Sequence, residues 1–308
     1  MIYTVTLNPA LDRAIWINKI RYDDPNRIKK EKKYAGGKGI DVSRVLTHLG
    51  VHNRALGFLG GYTGMEIEGI LLEEGVYCDF TSISNETRTN IVLNVKESNQ
   101  QLLLSAPGAA VKPVELTSFF KTLENLQSVE FVAFSGSLPP GLSPVIYERA
   151  LEIVKSKGGR TFLDTDGENL KIGIAGKPHM IKPNIHELSR LVGRKLSALG
   201  EIVRAAVEVQ QSGIEIVLVS IGARGIILVS EKEKYHAVPP QVKVVNTIGA
   251  GDSAVAGFIY GLTHRFSLKD CLTYAVAAGT ATTLKPGTAL AEQKDVEALA
   301  KEIKFQAI

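Results

Sequence analysis

Short apolar runs alternate with stretches of helical period along most of the chain, and that alternation constrains its fold more than any other feature. Ile2–Leu7 reads as a strand. A helix follows Gly39, with Val42, Val45, Leu46 and Leu49 at helical spacing, and stops at Gly50. The pattern continues with an extended segment at 54–59, a helix at 64–74 and a buried strand at 131–134. A helix at 144–157 and strands at 161–164 and 179–181 follow. Helices at 185–192 and 198–211 come next, then strands at 215–219 and 225–229. Helices at 250–263, 267–284 and 292–304 close the chain. Such an order predicts an α/β fold with a mostly parallel central sheet covered on both faces, with ligands at the carboxyl ends of the strands. Two segments break the order. Residues 12–33 are polar and extended, and residues 87–104 read as a β-hairpin turning at Glu97–Gln100. They are expected either to form a flap over the site or to extend the main sheet. No repeat or linker divides residues 1–308, so one domain is expected.

Composition narrows the function. Hydrophobic content of 44% and charged content of 22% suit a globular protein with a large core. A net charge of +4 is too small to imply nucleic acid, and the nearest thing to a basic run, Lys29 to Lys33, is interrupted by Glu31. No segment approaches a membrane span, and the opening residues lack the basic head of a signal peptide. Cys78 and Cys271 are far apart without ligand spacing, which suits a reduced, cytoplasmic protein. His48 and His52 are separated by the helix-ending Gly50, so they make a poor metal pair.

The densest chemistry lies at Val244–Ser253. A β-branched run at Val244-Val245, which reads as a strand end, leads into Gly249-Ala250-Gly251-Asp252, and an apolar-periodic helix follows through Ala254, Val255, Phe258, Ile259 and Leu262. Glycines let backbone N–H groups face an anion, and the helix N-terminus adds a partial positive charge. Asp252 at that mouth reads either as an N-terminal cap or as a base that takes a proton from an attacking hydroxyl. A second glycine cluster, Ala35-Gly36-Gly37-Lys38-Gly39, also opens a helix. Its spacing is not that of a P-loop, and Lys38 is either a phosphate ligand or a solvated lysine. Asn184 and Glu187, three apart at a helix start, suit either oxygen ligation of Mg²⁺ or a capping box. Asp164 and Asp166 follow a strand, where carboxylates often serve function or are simply solvated.

Together these residues resemble the ribokinase-like sugar kinases, in the phosphofructokinase B branch, over almost the whole chain. Tyr34–Gly39 is similar to the first family signature and Asn246–Asp252 to the second. Between and around them Leu7–Asp12, Thr87-Arg88, Ser135–Gly141, Lys182-Pro183-Asn184 with Glu187, and Val219–Gly222 match in order. The set resembles the subgroup that phosphorylates ketohexose phosphates: 1-phosphofructokinase, 6-phosphofructokinase and tagatose-6-phosphate kinase.

The resemblance implies a three-layer fold with a small β-lid from residues 12–33 and 87–104, which also makes a homodimer contact. It implies ATP and Mg²⁺, and a fructose 6-phosphate or fructose 1-phosphate acceptor, with tagatose 6-phosphate or a non-catalytic sensor as alternatives. Asp252 would be the base, and the N–H groups of Gly249, Ala250 and Gly251 the anion hole. Asp12 would bind sugar hydroxyls, with Gly37 and Asp41 beside the substrate. Lys38, Arg27, Arg88 and Ser137 would hold its phosphate. Asn184 and Glu187 would organise Mg²⁺–ATP, Ser220, Gly222 and Thr247 would lie along the nucleotide, and the segment near Gly287 would close on adenine. The chain departs from the family at two positions. Asp41 stands where Asn is usual, replacing a group that can donate by a carboxylate that, when ionised, only accepts. Asn246 stands where Asp is frequent, and there relatives bind a monovalent cation, so potassium activation is an open expectation.

Overall fold

The computed structural model describes residues 1–308. In chain order the strands are β1 (Ile2–Thr6), β2 (Ala10–Ile17), β3 (Lys30–Gly36), β4 (Asn53–Gly60), β5 (Tyr77–Ile83), β6 (Arg88–Val95), β7 (Gln100–Leu104), β8 (Phe131–Ser135), β9 (Arg160–Asp164), β10 (Met180–Ile181), β11 (Ile216–Ser220), β12 (Ile226–Ser230), β13 (Lys234–Val238) and β14 (Lys304–Gln306). The helices are α1 (Lys38–His48), α2 (Gly61–Glu73), α3 (Pro113–Asn125), α4 (Val145–Ser156), α5 (Gly167–Gly173), α6 (Ile185–Leu191), α7 (Leu199–Gln211), α8 (Ala250–Thr263), α9 (Leu268–Thr283) and α10 (Gln293–Ala300).

The main sheet runs β14-β13-β12-β11-β10-β9-β8-β1-β4-β5. From β11 to β5 every pairing is parallel, and β12, β13 and β14 add antiparallel strands at one edge. Side chains alternate across it, as the pleat requires. Val5, Val132, Phe134, Leu163, Val217 and Val219 join a core with α3, α4 and α7. Ile2, Phe131, Ala133, Phe162, Ile216 and Leu218 point the other way, to α1, α8, α9 and α10. Continuous burial of β1 and β8 explains why their sequences read as unbroken apolar runs.

The two segments that break the alternation meet in a separate four-stranded sheet, ordered β3-β2-β6-β7. They do not extend the main sheet. Parallel pairing of β2 with β6 sets Asp12 opposite Asn90. Leu11 and Ala35 of this small sheet pack with Ile40, Leu59, Ile67 and Leu71, which anchors its base to α1, β4 and α2.

The last helix ends earlier than expected, at Ala300, and residues 304–306 leave it to pair with β13. Besides β14, four elements were not anticipated: β5, α3, α5 and β13. β5 is an edge strand whose alternating exposure gives it no apolar run. Polar Lys234 and buried His236 mask β13. α3 did carry a helical period, in Phe119, Phe120 and Leu123, behind Pro113 at its first turn.

Candidate active site

All the parallel strands end along one edge, so residues far apart in sequence converge there. Ser135 ends β8, Asp164 ends β9, Lys182 follows β10 and Ser220 ends β11. The N-termini of α1 and α8 point at the same edge, bringing Lys38 and Asp252 to it. Gly249 caps α8 with φ 76°, a left-handed conformation that disfavours residues with a Cβ. The N–H groups of Gly249, Gly251 and Asp252 make no hydrogen bond within the chain, whereas that of Ala250 donates to Thr247 O at 3.3 Å. The free donors of the expected anion hole are therefore those of Gly249, Gly251 and Asp252, with Ala250 engaged.

Asp252 is buried, and burial pushes its carboxyl up to about 6. The carboxylates of Asp164 and Glu187 push the same way, and the ammonium groups of Lys38 and Lys182 oppose them. Asp164 is 1% exposed, and neither of its oxygens accepts a hydrogen bond. It is flanked by two ammonium groups, Lys38 Nζ at 3.5 Å and Lys182 Nζ at 3.4 Å. The Asp164 charge holds Lys38 protonated, above its ordinary range. Lys182 is 5% exposed, and its ammonium lies 3.3 Å from where a Cβ on Gly251 would stand. Reading the sequence assigned no role to Lys182, although its place just before the Asn184 turn was a usable signal. Asp166, paired with Asp164 in the sequence, is instead exposed at the start of α5.

Lys38 was expected at the substrate's own phosphate, but it faces Asp164 and Asp252, beside the anion hole. Asp12 accepts a hydrogen bond from Asn90 Nδ2 at 2.8 Å, and burial raises its carboxyl. A Cβ at Gly36 would run into this carboxylate, so only glycine allows β3 to pass it. Asp41 is buried near Asp12 and Asp252, and burial pushes its carboxyl well up. Gly37, with φ 121°, begins α1.

Arg88 donates to the carbonyls of Asn8 (2.9 Å), Pro9 (3.3 Å) and Ala106 (2.6 Å). A guanidinium has five N–H donors, so two remain for a ligand. Asn8, part of the matching Leu7–Asp12 segment but given no role there, donates through Nδ2 to Pro107 O, Ser137 Oγ and Leu138 O, tying together the loops that carry Arg88's partner and Ser137. Arg27 is separate from these groups, in the exposed connection between β2 and β3.

On the nucleotide side, Asn184 caps α6. Its Oδ1 accepts from the N–H groups of His186 (2.9 Å) and Glu187 (3.0 Å), while Glu187 Oε2 accepts from Asn184 N–H (2.8 Å). The capping box is formed, and Glu187 Oε1 stays outside it. Ser220 pairs with Asn184 through a parallel bridge, so these two expected neighbours do meet. Gly222 begins a single tight turn at 222–224, with φ 63°. Thr247 supplies the carbonyl that accepts from Ala250. Gly287 is buried, and a Cβ there would lie 3.3 Å from Tyr34 Oη, so its segment packs against the small sheet. Its carbonyl accepts from Asn246 Nδ2, and Asn246 Oδ1 accepts from Ile248 N–H at 3.0 Å.

Three free N–H donors, a buried carboxylate beside them and two neighbouring lysines are an arrangement suited to moving a phosphoryl group. Residues 5–295 match the pfkB family carbohydrate kinase. The chain belongs to this family. As a pfkB kinase it is 34% identical over 304 residues to 1-phosphofructokinase of Bacillus subtilis, covering 99% of both chains. It is also 34% identical to ATP-dependent 6-phosphofructokinase isozyme 2 of Escherichia coli, over 96% of both. The crystal structure of phosphofructokinase-2 from Escherichia coli in complex with potassium superposes with a TM-score of 0.94 and 34% identity over 98% of each chain. This kinase therefore has the ribokinase-like α/β architecture, with the two glycine signatures at the ends of α1 and α8 that face the strand edge.

Proposed function

We propose that this kinase transfers the terminal phosphoryl group of ATP to the free primary hydroxyl of fructose 6-phosphate or fructose 1-phosphate, forming fructose 1,6-bisphosphate and ADP. The observation that carries the reading is Asp252: a buried carboxylate with its pKa raised to about 6, beside three unused N–H donors. A base of that strength is ionised at neutral pH and can accept the hydroxyl proton as the oxygen attacks phosphorus. The N–H donors of Gly249, Gly251 and Asp252, with Lys38 and Lys182, would stabilise the charge on the moving group. Asp12 would accept from a sugar hydroxyl, and the two free donors of Arg88, with Ser137, would hold the substrate's phosphate.

Magnesium fits the residues present. No group of three or more His, Cys, Asp or Glu is placed to hold a metal ion by itself. Mg²⁺ bound with a nucleotide needs none, because it uses one or two carboxylates, water and phosphate oxygens. Glu187 Oε1, free of the capping box and near Asp252, would be such a ligand. There the ion would neutralise charge on the nucleotide phosphates. Potassium fits less well, because Asn246 brings no charge and its amide is already held between Gly287 and Ile248.

The small sheet would be a lid and a homodimer contact. Its edge strand β7 exposes Leu102, Leu103 and Leu104, each about half. An exposed apolar edge strand is a pairing surface unless covered. Leu103→Glu should shift the mass measured by light scattering toward the monomer. No helix is long and apolar enough to cross a membrane, and a cytoplasmic location accompanies the proposed substrates. The activity is tested by measuring ADP formation with fructose 6-phosphate, fructose 1-phosphate and tagatose 6-phosphate. Nucleotide binding without ADP release on any of the three would overturn the assignment in favour of a sensor.

A further inference from the structure

Asp41 lies in the first turn of α1, where burial and the nearby charges of Asp252 on α8 and Asp12 on β2 all push its carboxyl up. Three acids gathered in a largely buried space repel one another, and a cation must offset them. That cation is Arg44, one turn further along α1 and 3% exposed. Its Nη1 donates to Asp41 Oδ1 at 3.3 Å and to Ala35 O at 3.2 Å. Its Nε and Nη2 grip both oxygens of Glu74 beyond α2, at 2.6 and 3.0 Å. The guanidinium is thereby fixed by the end of β3, by α1 and by the turn after α2. A fork held at three points cannot follow a moving carboxylate, so it sets where Asp41 stands.

The consequence is an asymmetric carboxylate. Oδ1 is held by Arg44, while Oδ2 accepts no hydrogen bond in the chain and is not among the sealed, unpartnered atoms. We infer that Arg44 is a positioning residue for substrate recognition: it pins Asp41 through one oxygen and leaves the other to meet a sugar hydroxyl. The freed oxygen gives this corner of the cleft an acceptor for a sugar hydroxyl. The inference rests on the sugar-phosphate kinase reading and adds to it a residue that the glycine signatures do not contain. It also explains how the chain carries an acid at position 41, since Arg44 opposes the burial that drives this carboxyl upward.

The test is a double-mutant cycle on the full chain: wild type, Arg44→Met, Asp41→Asn and both together. KM for the preferred fructose phosphate, KM for ATP, and Tm are measured for each. Hydrogen bonds to charged groups are strong enough that Arg44→Met alone should raise the sugar-phosphate KM at least ~10-fold over wild type. KM for ATP should stay unchanged, and most of the penalty should vanish when Arg44→Met is added to Asp41→Asn. An equal penalty in both backgrounds overturns the inference, because it leaves Arg44 as a brace for Glu74 and Ala35 alone. If Arg44→Met fails to fold, Arg44→Lys keeps the charge without the fork, and the same cycle is read with it. Lack of turnover by wild type on all three ketohexose phosphates would defeat the kinase assignment, and this inference with it. Normal wild-type turnover with an uncoupled cycle defeats the inference only.

Discussion

The ammonium of Lys182 lies 3.4 Å from Asp164 Oδ2, deep in the molecule, and stands against Gly251 of the anion hole. A buried carboxylate with no hydrogen-bond donor is costly, and here two lysines offset it. Asp164 in return holds Lys38 charged beside Asp252 and draws the Lys182 ammonium to the same place. Nucleophile, base and moving phosphoryl group would thus meet in a field whose charges are already arranged, which is how electrostatic catalysis avoids reorganisation.

Lys182→Met should therefore lower kcat far more than it raises either KM. Loss of one donor of this kind typically costs ~10²–10³ in kcat. The variant also leaves Asp164 with one cation rather than two, so Tm should fall. Steady-state kinetics at saturating ATP and sugar phosphate decide it. A change confined to KM for ATP would show that Lys182 only binds nucleotide.

Arg88→Ala should weaken the fold and the substrate site together. Three backbone carbonyls lose their donor, and each buried acceptor left unpaired costs about 1–3 kcal/mol. The two donors left for the substrate's phosphate disappear as well. Tm should drop, and KM for the fructose phosphate should rise more than KM for ATP. A fall in Tm with an unchanged sugar KM would leave Arg88 as a clasp between the Asn8-Pro9 turn and Ala106.

Asn246 predicts indifference to potassium. Its amide already joins the N–H of Ile248 to the carbonyl of Gly287. Activity and Tm should be the same in potassium, sodium and tetramethylammonium chloride at equal ionic strength. Asn246→Asp removes the donor to Gly287 and adds a charge, so it should make both quantities respond to potassium. A rise in wild-type Tm specific to potassium would contradict this.

Local signals made much of the site legible in advance. The Gly249–Asp252 turn is contiguous, so its glycines, carboxylate and helix are read in ten residues; the strand end expected at Val244-Val245 is instead an exposed loop after β13, because β-branched residues alone do not make a strand without a neighbour to pair with. The same holds for Asn184 and Glu187, whose two readings the structure answers with a formed capping box on one oxygen of Glu187 and a free second oxygen. What remained hidden is tertiary. Lys38, Asp164 and Lys182 come from a helix start and two strand ends: the parallel pairing of β9 with β10 brings Asp164 beside Lys182, and the start of α1 brings Lys38 to them. Arg44 looked like an ordinary helical residue, because its partners Ala35 and Glu74 lie on other elements. Arg88 was legible as a cation near the site, but not as one already holding three carbonyls. In the fold, long buried runs such as β8 were plain, whereas the edge strands β5 and β14 bury too little to leave a pattern.

Asp252 offers a test in which activity and stability move in opposite directions. Its carboxyl rises to about 6 in the folded protein, chiefly through burial, from an ordinary 3.8. kcat/KM, which reports groups of the free enzyme, should increase with pH as this group ionises near that value, giving an acid limb. Stability has the other sign. Between those two values the native protein keeps a proton that the unfolded chain has lost, so native binding of protons exceeds unfolded binding and stability falls as pH rises through that window. Asp252→Asn stays neutral throughout. It should lose ~10²–10⁴-fold in kcat, the usual worth of general-base catalysis, while Tm, measured from pH 4 to pH 7, should gain on wild type as pH rises. A variant that keeps turnover within roughly tenfold of wild type, below that range, would remove Asp252 from the role of base. A parallel pH dependence of Tm in the two proteins would show that the carboxylate is not the buried, raised group described here.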